Sequence, residues 1–272
     1  MSGMGQLSLL VARGVPFTPK SDQSGVKVKL KVFWKTTRFW TQADIIDYQQ
    51  NVLVIASRLR NEREYWNKHG EIRQSKFTCE DFAIRVLSEF ASSKELPVKL
   101  TTGVRTYRNM EMYRSSEHDK YASNKYGFSE MVMKTYGAPD MQRTGINTVV
   151  VEKPECLQPG DILALANDLK AGPNHTAHHI QVVYQTPSNE VKIYQGNSNA
   201  KIHWPLTWAY KAPGMNVADP QDSAYGGQPI EVGRHIKTQG EWEYDNFTTR
   251  HHEKNYLKYF DLFRWNFKEF NK

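Results

Sequence analysis

Two segments of the chain carry residue types that could perform nucleophilic catalysis. Cys79 begins an amphipathic helical pattern, and His179 begins a run of β-branched residues much later in the sequence. The unpaired N–H groups and the dipole of a helix N-terminus favour a thiolate over a thiol. A histidine beside that sulfur can complete an ion pair and later protonate a leaving group. If the two segments meet in the fold, they support attack by sulfur on an acyl carbon.

A third polar residue is expected on the next strand. A base imidazole needs a hydrogen-bond acceptor for its second nitrogen, because this contact fixes the tautomer of the ring. Gln195 lies within the strand pattern that ends in Tyr-Gln-Gly-Asn, and Asn197 follows the glycine of that motif. Because the two residues are two positions apart, both would point to the same face of the strand, the face expected for a partner of His179. We prefer Gln195, since it lies inside the strand, and keep Asn197 as the alternative; both could also be ordinary polar residues at a strand end.

The histidines at positions 175, 178 and 179 also allow a metal site. A structural zinc ion needs three or four ligands in tetrahedral reach. Adjacent residues of a strand point to opposite faces, so His178 and His179 cannot both reach one ion without a bulge. We therefore expect no metal or other cofactor. His178 becomes the candidate base if the strand register is shifted by one residue.

The chain has only two cysteines, which excludes a disulfide scaffold for a protein of this size. Cys156 lies in a connector between two prolines, with no helix start behind it, and is expected to be a structural thiol. For Cys79, the competing interpretation is a buried apolar side chain, which is common for free cysteine.

Composition restricts the function further. The 36 Lys and Arg residues against 29 Asp and Glu residues give a net charge of +7, which favours an anionic partner such as nucleic acid, a membrane surface or peptidoglycan. The basic residues are dispersed and form no nucleic-acid motif, so we do not expect nucleic-acid binding. No apolar run approaches the roughly 18 residues of a membrane span. The apolar patch at residues 7–12 has no basic flank, and a secretory signal is not expected.

The pattern of the first hundred residues predicts an arm, a strand and two helices. Residues 1–25 are rich in Gly, Ser and Pro and are expected to form an N-terminal arm. Residues 26–34 alternate like a strand. Thr41 to Asp44 resembles a capping box for a long helix whose apolar stripe runs toward Trp66. A second helix begins near Thr78.

The remainder of the chain predicts an antiparallel sheet with two insertions. Residues 101–145 are mixed and polar, with a helical stretch at 128–136, and are expected to be an insertion. Residues 212–246 are rich in Pro and Gly and are expected to form a long loop or a second insertion. Five segments have the period of strands: residues 148–151, 161–166, 179–184, 190–195 and 256–267. The prediction is an α+β fold, with residues 26–272 as a single catalytic domain.

The order of these motifs resembles the NlpC-type and CHAP-type papain-fold cysteine hydrolases, many of which cut peptide bonds of bacterial peptidoglycan. The resemblance covers roughly residues 75–200 and the closing strand, which contains Leu-Phe-Arg-Trp at 262–265. Four features within residues 75–200 carry it: Cys79 at a helix start, the turn Pro159-Gly160-Asp161, His179 in His-Ile-Gln-Val-Val, and Gln195 or Asn197 in Tyr-Gln-Gly-Asn. It implies a papain-like fold with a nucleophile helix packed on an antiparallel sheet.

The sequence departs from this family at the nucleophile. The family commonly has Asp-Cys-Ser-Gly, whereas this chain has Thr78-Cys79-Glu80-Asp81. The two acids of the first turn suit the helix dipole, but they oppose a thiolate beside them.

The resemblance implies a cysteine amidase or endopeptidase that cleaves peptidoglycan peptides through a thioacyl intermediate. Cys79 would attack, His179 would move the proton, and Gln195 or Asn197 would hold the ring. Without a signal peptide, such an enzyme is expected to be made in the cytoplasm and delivered as a type VI secretion effector to the periplasm of a target cell. An immunity protein and the secretion apparatus would be its partners. The alternatives are a host-directed cysteine protease, deamidase or acyltransferase, and a papain-like binding module in which Cys79 is inert.

Overall fold

The computed structural model of the chain describes residues 28–61, 78–113, 116–166, 176–196 and 230–272. Within these ranges the fold is mixed α+β, with a few helices packed against an antiparallel sheet. The described α-helices are α1 (Gln42–Asn61), α2 (Cys79–Ser93), α3 (Lys125–Met133) and α4 (Phe267–Phe270). Among them, no helix combines the length and the apolar character that a membrane span requires.

Two short strand pairs lie outside the main sheet. One strand precedes α1, and the other three lie between α2 and α3. Strand β1 (Lys29–Val32) pairs antiparallel with β4 (Met110–Tyr113), and β2 (Lys99–Thr101) pairs antiparallel with β3 (Thr106–Arg108).

The main sheet has eight strands within the described residues, and all the pairings between them are antiparallel. In chain order they are β5 (Thr148–Val150), β6 (Ile162–Leu165), β7 (His179–Gln185), β8 (Glu190–Gln195), β9 (Glu231–Thr238), β10 (Glu241–Asn246), β11 (His251–Glu253) and β12 (Phe260–Trp265). Their order across the sheet is β11-β10-β9-β8-β7-β6-β12-β5. Strands β7 and β8, which carry His179 and Gln195, are therefore neighbours at the centre of the sheet.

Helix α2 packs against the centre of this sheet. Its residues Phe82, Val86 and Phe90 recur at a spacing of four and are all buried. They share a core with Ile180 and Val182 of β7. A second core on the other side of the sheet contains Leu163, Val183, Ile193 and Tyr244, among others. Because strand side chains alternate, His179 and Gln181 leave β7 on the same side as Val183.

Helix α1 covers α2 and begins at a reciprocal cap. The Thr41 N–H donates to the Asp44 carboxylate at 3.0 Å, and the Asp44 N–H donates to the Thr41 hydroxyl at 3.3 Å. The buried residues Tyr48, Val52 and Leu59 form its inner stripe. The expected continuation toward Trp66 lies outside the described residues, as does the N-terminal arm at 1–25.

The turn Pro159-Gly160-Asp161 joins three strands. The Gly160 N–H donates to the Val183 carbonyl of β7 at 2.7 Å. The Asp161 carboxylate accepts from Arg264 of β12 at 2.8 Å from Nε and 2.7 Å from Nη2. Gln158 also donates its backbone N–H to this carboxylate at 2.8 Å. The turn thus fixes the entry of β6 relative to both neighbouring strands.

The expectation of a loop or insertion at 212–246 is wrong for its last part, because β9 and β10 form a hairpin within it. The face of β9 that points inward carries Glu231, Gly233 and His235, all buried. A buried face without large apolar residues shows no hydrophobic alternation, so the strand period is not visible in the sequence. Residues 197–229 lie outside the described ranges.

The segment at 256–267 was also expected to be one strand, and it is divided into three elements. A 3₁₀ turn covers Tyr256–Tyr259, β12 follows, and the short helix α4 begins after Asn266. The Asn266 side chain accepts the backbone N–H of Glu269 at 3.2 Å, which caps α4. Aromatic residues are as compatible with these short helical turns as with a strand, so the pattern alone did not separate them.

Candidate active site

The cysteine of α2 reaches the beginning of β7. Cys79 is the first helical residue and is 7% exposed. Its Sγ donates to the Oε2 of Glu80 at 2.9 Å. The backbone N–H of Ile180 lies near the sulfur and lowers the pKa of the thiol. That N–H belongs to the peptide bond between His179 and Ile180, so the sulfur lies near the strand at the residue that follows the candidate base.

The electrostatic surroundings of Cys79 favour the neutral thiol. Burial raises its pKa well above the ordinary value, and the Glu80 carboxylate raises it further, with Asp81 adding a smaller effect. The Ile180 N–H acts in the opposite direction. We expected the helix N-terminus to favour the thiolate, but loss of solvent and a carboxylate in hydrogen-bond contact outweigh the partial charge of the helix end.

Removing the Glu80 charge should make the thiol more acidic. Because this carboxylate raises the pKa of Cys79, the variant Glu80→Gln should have a lower thiol pKa and a larger thiolate fraction at neutral pH. Each unit by which the thiol pKa falls raises the thiolate fraction about tenfold. The nucleophilicity of the thiolate falls with its pKa, so alkylation should accelerate only about threefold for each unit of decrease in pKa. The measurement is the pH dependence of iodoacetamide labelling of Cys79. An unchanged profile would show that Glu80 does not control this thiol.

His179 is held by Gln195. It is the first residue of β7, is 9% exposed, and its Nε2 lies 3.0 Å from the Oε1 of Gln195. The amide nitrogen of Gln195 donates to the Glu231 carboxylate at 2.8 Å and to the Tyr244 hydroxyl at 2.9 Å. A carboxylate only accepts, so the amide oxygen must face the imidazole. In the neutral ring Nε2 therefore carries the proton, and Nδ1 is the basic atom.

Burial also favours the neutral form of the His179 imidazole. It lowers the pKa of His179, whereas the Gln195 hydrogen bond and the charge of Glu231 raise that pKa. The thiol pKa is raised and the imidazole pKa is lowered, so the resting site holds a neutral thiol and a neutral imidazole. A thiolate–imidazolium pair would require a change in these surroundings.

The two candidate groups are carried by the first residues of α2 and β7, and among the described contacts no hydrogen bond joins the sulfur to the ring. Ile180 contributes to the core under α2, so the His179 ring leaves the strand on the other side of the sheet. The Ile180 N–H that lowers the pKa of the thiol belongs to the first peptide of β7, and the ring is carried by the first residue of that strand. Direct proton transfer from the Cys79 thiol to His179 requires the Nδ1 edge of the ring to face the sulfur past the first residue of β7.

The remaining candidates are separated by their positions. The His178 side chain is exposed, unlike that of His179, and its backbone N–H donates to the Leu165 carbonyl. Asn197 and His175 lie outside the described residues. Within the described ranges, no three His, Cys, Asp or Glu side chains are arranged to hold a metal ion. Cys156 is exposed and makes no disulfide.

A buried polar network beyond Gln195 was not foreseen from the sequence. Gln181 donates its Nε2 to the Gln195 Oε1 at 2.8 Å and has its own Oε1 2.8 Å from the Nε2 of His235. Glu231 also accepts from Asn246 at 2.7 Å. Gln181 was visible as a polar residue of the same parity as His179. Glu231 had no such signal, because its strand was assigned to a loop.

Gln195 makes all four hydrogen bonds that a carboxamide side chain can make. Its oxygen accepts from His179 and Gln181, and its nitrogen donates to Glu231 and Tyr244. A saturated, buried amide has one orientation. The acceptor for His179 is therefore fixed before any ligand arrives.

Comparison with known proteins adds no family assignment. The chain matches no protein-family model, no curated protein and no solved structure.

Proposed function

We propose that the protein is a cysteine amidase or endopeptidase with a papain-like arrangement of Cys79, His179 and Gln195. One observation carries the proposal: a buried histidine, oriented by a saturated amide, begins the strand whose second residue, Ile180, shares a core with a helix-initial cysteine. A packing role for Cys79 would require neither an oriented imidazole nor a buried acceptor behind it.

In the proposed reaction, the Cys79 sulfur loses its proton to Nδ1 of His179 and attacks the carbonyl carbon of an amide. The C–N bond then breaks as the imidazolium returns this proton to the leaving nitrogen, which leaves a thioester on Cys79 and a free amine. Water adds to the thioester, again giving a proton to Nδ1. Cleavage of the C–S bond then releases a carboxylic acid and restores the thiol.

The two protonation states of the ring explain the proposed role of Gln195. Its amide oxygen accepts the Nε2 proton throughout, so Nδ1 is free to take and return the reacting proton. The backbone N–H of Cys79, at the unpaired end of α2, is the first donor for the oxyanion.

The proposed substrate is the peptide part of bacterial peptidoglycan. The net charge of +7 favours binding to an anionic polymer, and the motifs resemble hydrolases that act on this polymer. The proposal includes delivery as an antibacterial effector to the periplasm of a target cell, with an immunity protein as the partner that protects the producer.

The test compares the wild type with Cys79→Ala on purified sacculi. We expect new muropeptides, with free amine and carboxylate ends, from the wild type alone. Cys156→Ser is the matched control, since it removes the other thiol of the chain, and it should cleave like the wild type. If sacculi stay intact while a protein in a host lysate is cleaved or deamidated, the host-directed alternative replaces this proposal. Expression in the periplasm with and without the Cys79→Ala change tests the proposed compartment.

A papain-like binding module with an inert thiol is the second candidate. It is favoured by the burial of Cys79 and by the raised pKa of its thiol. Iodoacetamide labelling at neutral pH separates the two candidates. Because the resting thiol of the proposed enzyme is itself neutral and buried, labelling of Cys79 is compared with and without substrate, with the exposed Cys156 as the internal reference. A change in Cys79 labelling when substrate is added supports the enzyme, and equal protection of Cys79 in both conditions supports the module.

A further inference from the structure

We infer that Glu231 is a positioning residue that acts on His179 through the amide of Gln195, an inference that rests on the proposed function. The chain of contacts is continuous and buried. The Glu231 Oε2 lies 2.8 Å from the Gln195 Nε2, and the Gln195 Oε1 lies 3.0 Å from the His179 Nε2. Glu231 is 1% exposed and Gln195 is 2% exposed.

An amide placed between a carboxylate and an imidazole transmits charge by polarisation. A carboxylate that accepts from the amide nitrogen increases the negative charge on the amide oxygen, and this strengthens the hydrogen bond from the ring. The ring needs this support most when it carries the extra proton in the transition state. Glu231 supplies the negative charge that Gln195, as a neutral residue, lacks.

The other polar groups around the network do not supply this charge. Burial holds the pKa of His235 at about 3 and raises that of Tyr244, so both stay neutral near pH 7. His178, the residue before β7, lowers the pKa of His179 and so supplies no negative charge. Cys79 and Glu80 lie on α2, at the sulfur side of the site. Glu231 is held in place by Asn246 of β10, which donates to the same oxygen at 2.7 Å.

The test removes the charge and keeps the hydrogen bonds. In Glu231→Gln the side-chain oxygen can still accept from Gln195 and Asn246, so the fold and the Nε2–H tautomer of His179 should persist. The pKa of His179, measured by ¹⁵N-detected NMR titration, should fall, because the charge of Glu231 raises it. We expect kcat to fall about tenfold with KM unchanged, since the lost interaction is made in the transition state.

Two further variants keep the test decisive if Glu231→Gln is poorly folded or weakly active. Gln195→Glu in the Glu231→Gln background exchanges the amide and the carboxylate. It should bring the pKa of His179 back to the wild-type value or above it, because the charge then contacts the ring directly. Glu190→Gln is the matched control. Its carboxylate is bonded to Arg234 at 3.1 Å at the far end of β8, and its loss should change neither quantity.

The outcomes separate this inference from the proposed function. An unchanged His179 pKa and an unchanged kcat in folded Glu231→Gln would overturn the role of Glu231, whatever the substrate. A wild type that hydrolyses no amide would overturn the proposed function. The NMR titration would still decide whether Glu231 controls His179.

Discussion

His179→Ala is expected to lower kcat/KM for amide hydrolysis by at least about 10³-fold, because the variant has no group to take the proton of the thiol or to protonate the leaving amine. The resting thiol is neutral, with a raised pKa, so without a base very little thiolate is present at neutral pH. The loss should appear mainly in kcat. It is measured by release of free amine from isolated muropeptides.

The neighbouring histidine is the matched control for this prediction. His178→Ala removes an exposed imidazole one residue away, and its activity should stay close to that of the wild type. Circular dichroism and thermal melting of both variants exclude unfolding as the cause of a difference. If His178→Ala were inactive and His179→Ala active, the base would be assigned to the wrong face of β7. Equal activity of both variants would remove histidine from the mechanism.

The central part of the site was predictable because strands with apolar alternation fix the direction of their polar residues. The strand Glu190–Gln195 has the predicted bounds, and β7 begins at His179 as expected. In an antiparallel pair with this register, two polar residues of the same parity must share a face. The sequence therefore indicates Gln195 or Asn197 as the partner of His179, and the structure shows the contact with Gln195.

The polar network behind Gln195 was not predictable, because the strand that carries most of it lacks this apolar alternation. Strand β9 buries Glu231 and His235 rather than aliphatic residues, and their burial is compensated by hydrogen bonds to residues of three other strands. A pattern search reads such residues as exposed. Buried polar networks remove the hydrophobic signal at the positions where they support a site.

The acidity of Cys79 is a second case in which local reasoning was incomplete. A helix N-terminus favours the thiolate, but the extent of burial and the direction of the Glu80 side chain depend on tertiary packing. The sequence indicated that two acids follow the cysteine. It did not indicate that one of them, Glu80, would accept a hydrogen bond from the thiol, with 2.9 Å between the Cys79 Sγ and the Glu80 Oε2.

Gly160→Ala is expected to destabilise the protein by about 2–5 kcal/mol. Gly160 has φ +91°, and a left-handed backbone costs about 1–2 kcal/mol for a residue with a side chain. A Cβ at this position would lie 2.4 Å from Cε1 of Tyr48, which is itself 1% exposed and held by the surrounding core. Relieving this overlap must move α1 or the turn and should add about 1–3 kcal/mol.

The chain offers a matched control for the steric part of this loss. Gly240, in the turn between β9 and β10, also has φ +91°, but a Cβ there would meet no atom within 4 Å. Gly240→Ala should therefore show the backbone cost alone. The measurement is the free energy of unfolding from urea titrations of both variants, taken with the wild type. Equal losses in the two variants would contradict the close packing of Tyr48 on the turn.

The position of this turn makes its stability relevant to the site. The Gly160 N–H is bonded to Val183 and the Asp161 carbonyl accepts the Val183 N–H at 2.9 Å, so the turn holds the strand that begins with His179. In folded Gly160→Ala, displacement of β7 should loosen the contact between the His179 Nε2 and Gln195. We expect kcat to fall further than the folded fraction explains, whereas Gly240→Ala should retain the activity of its folded fraction.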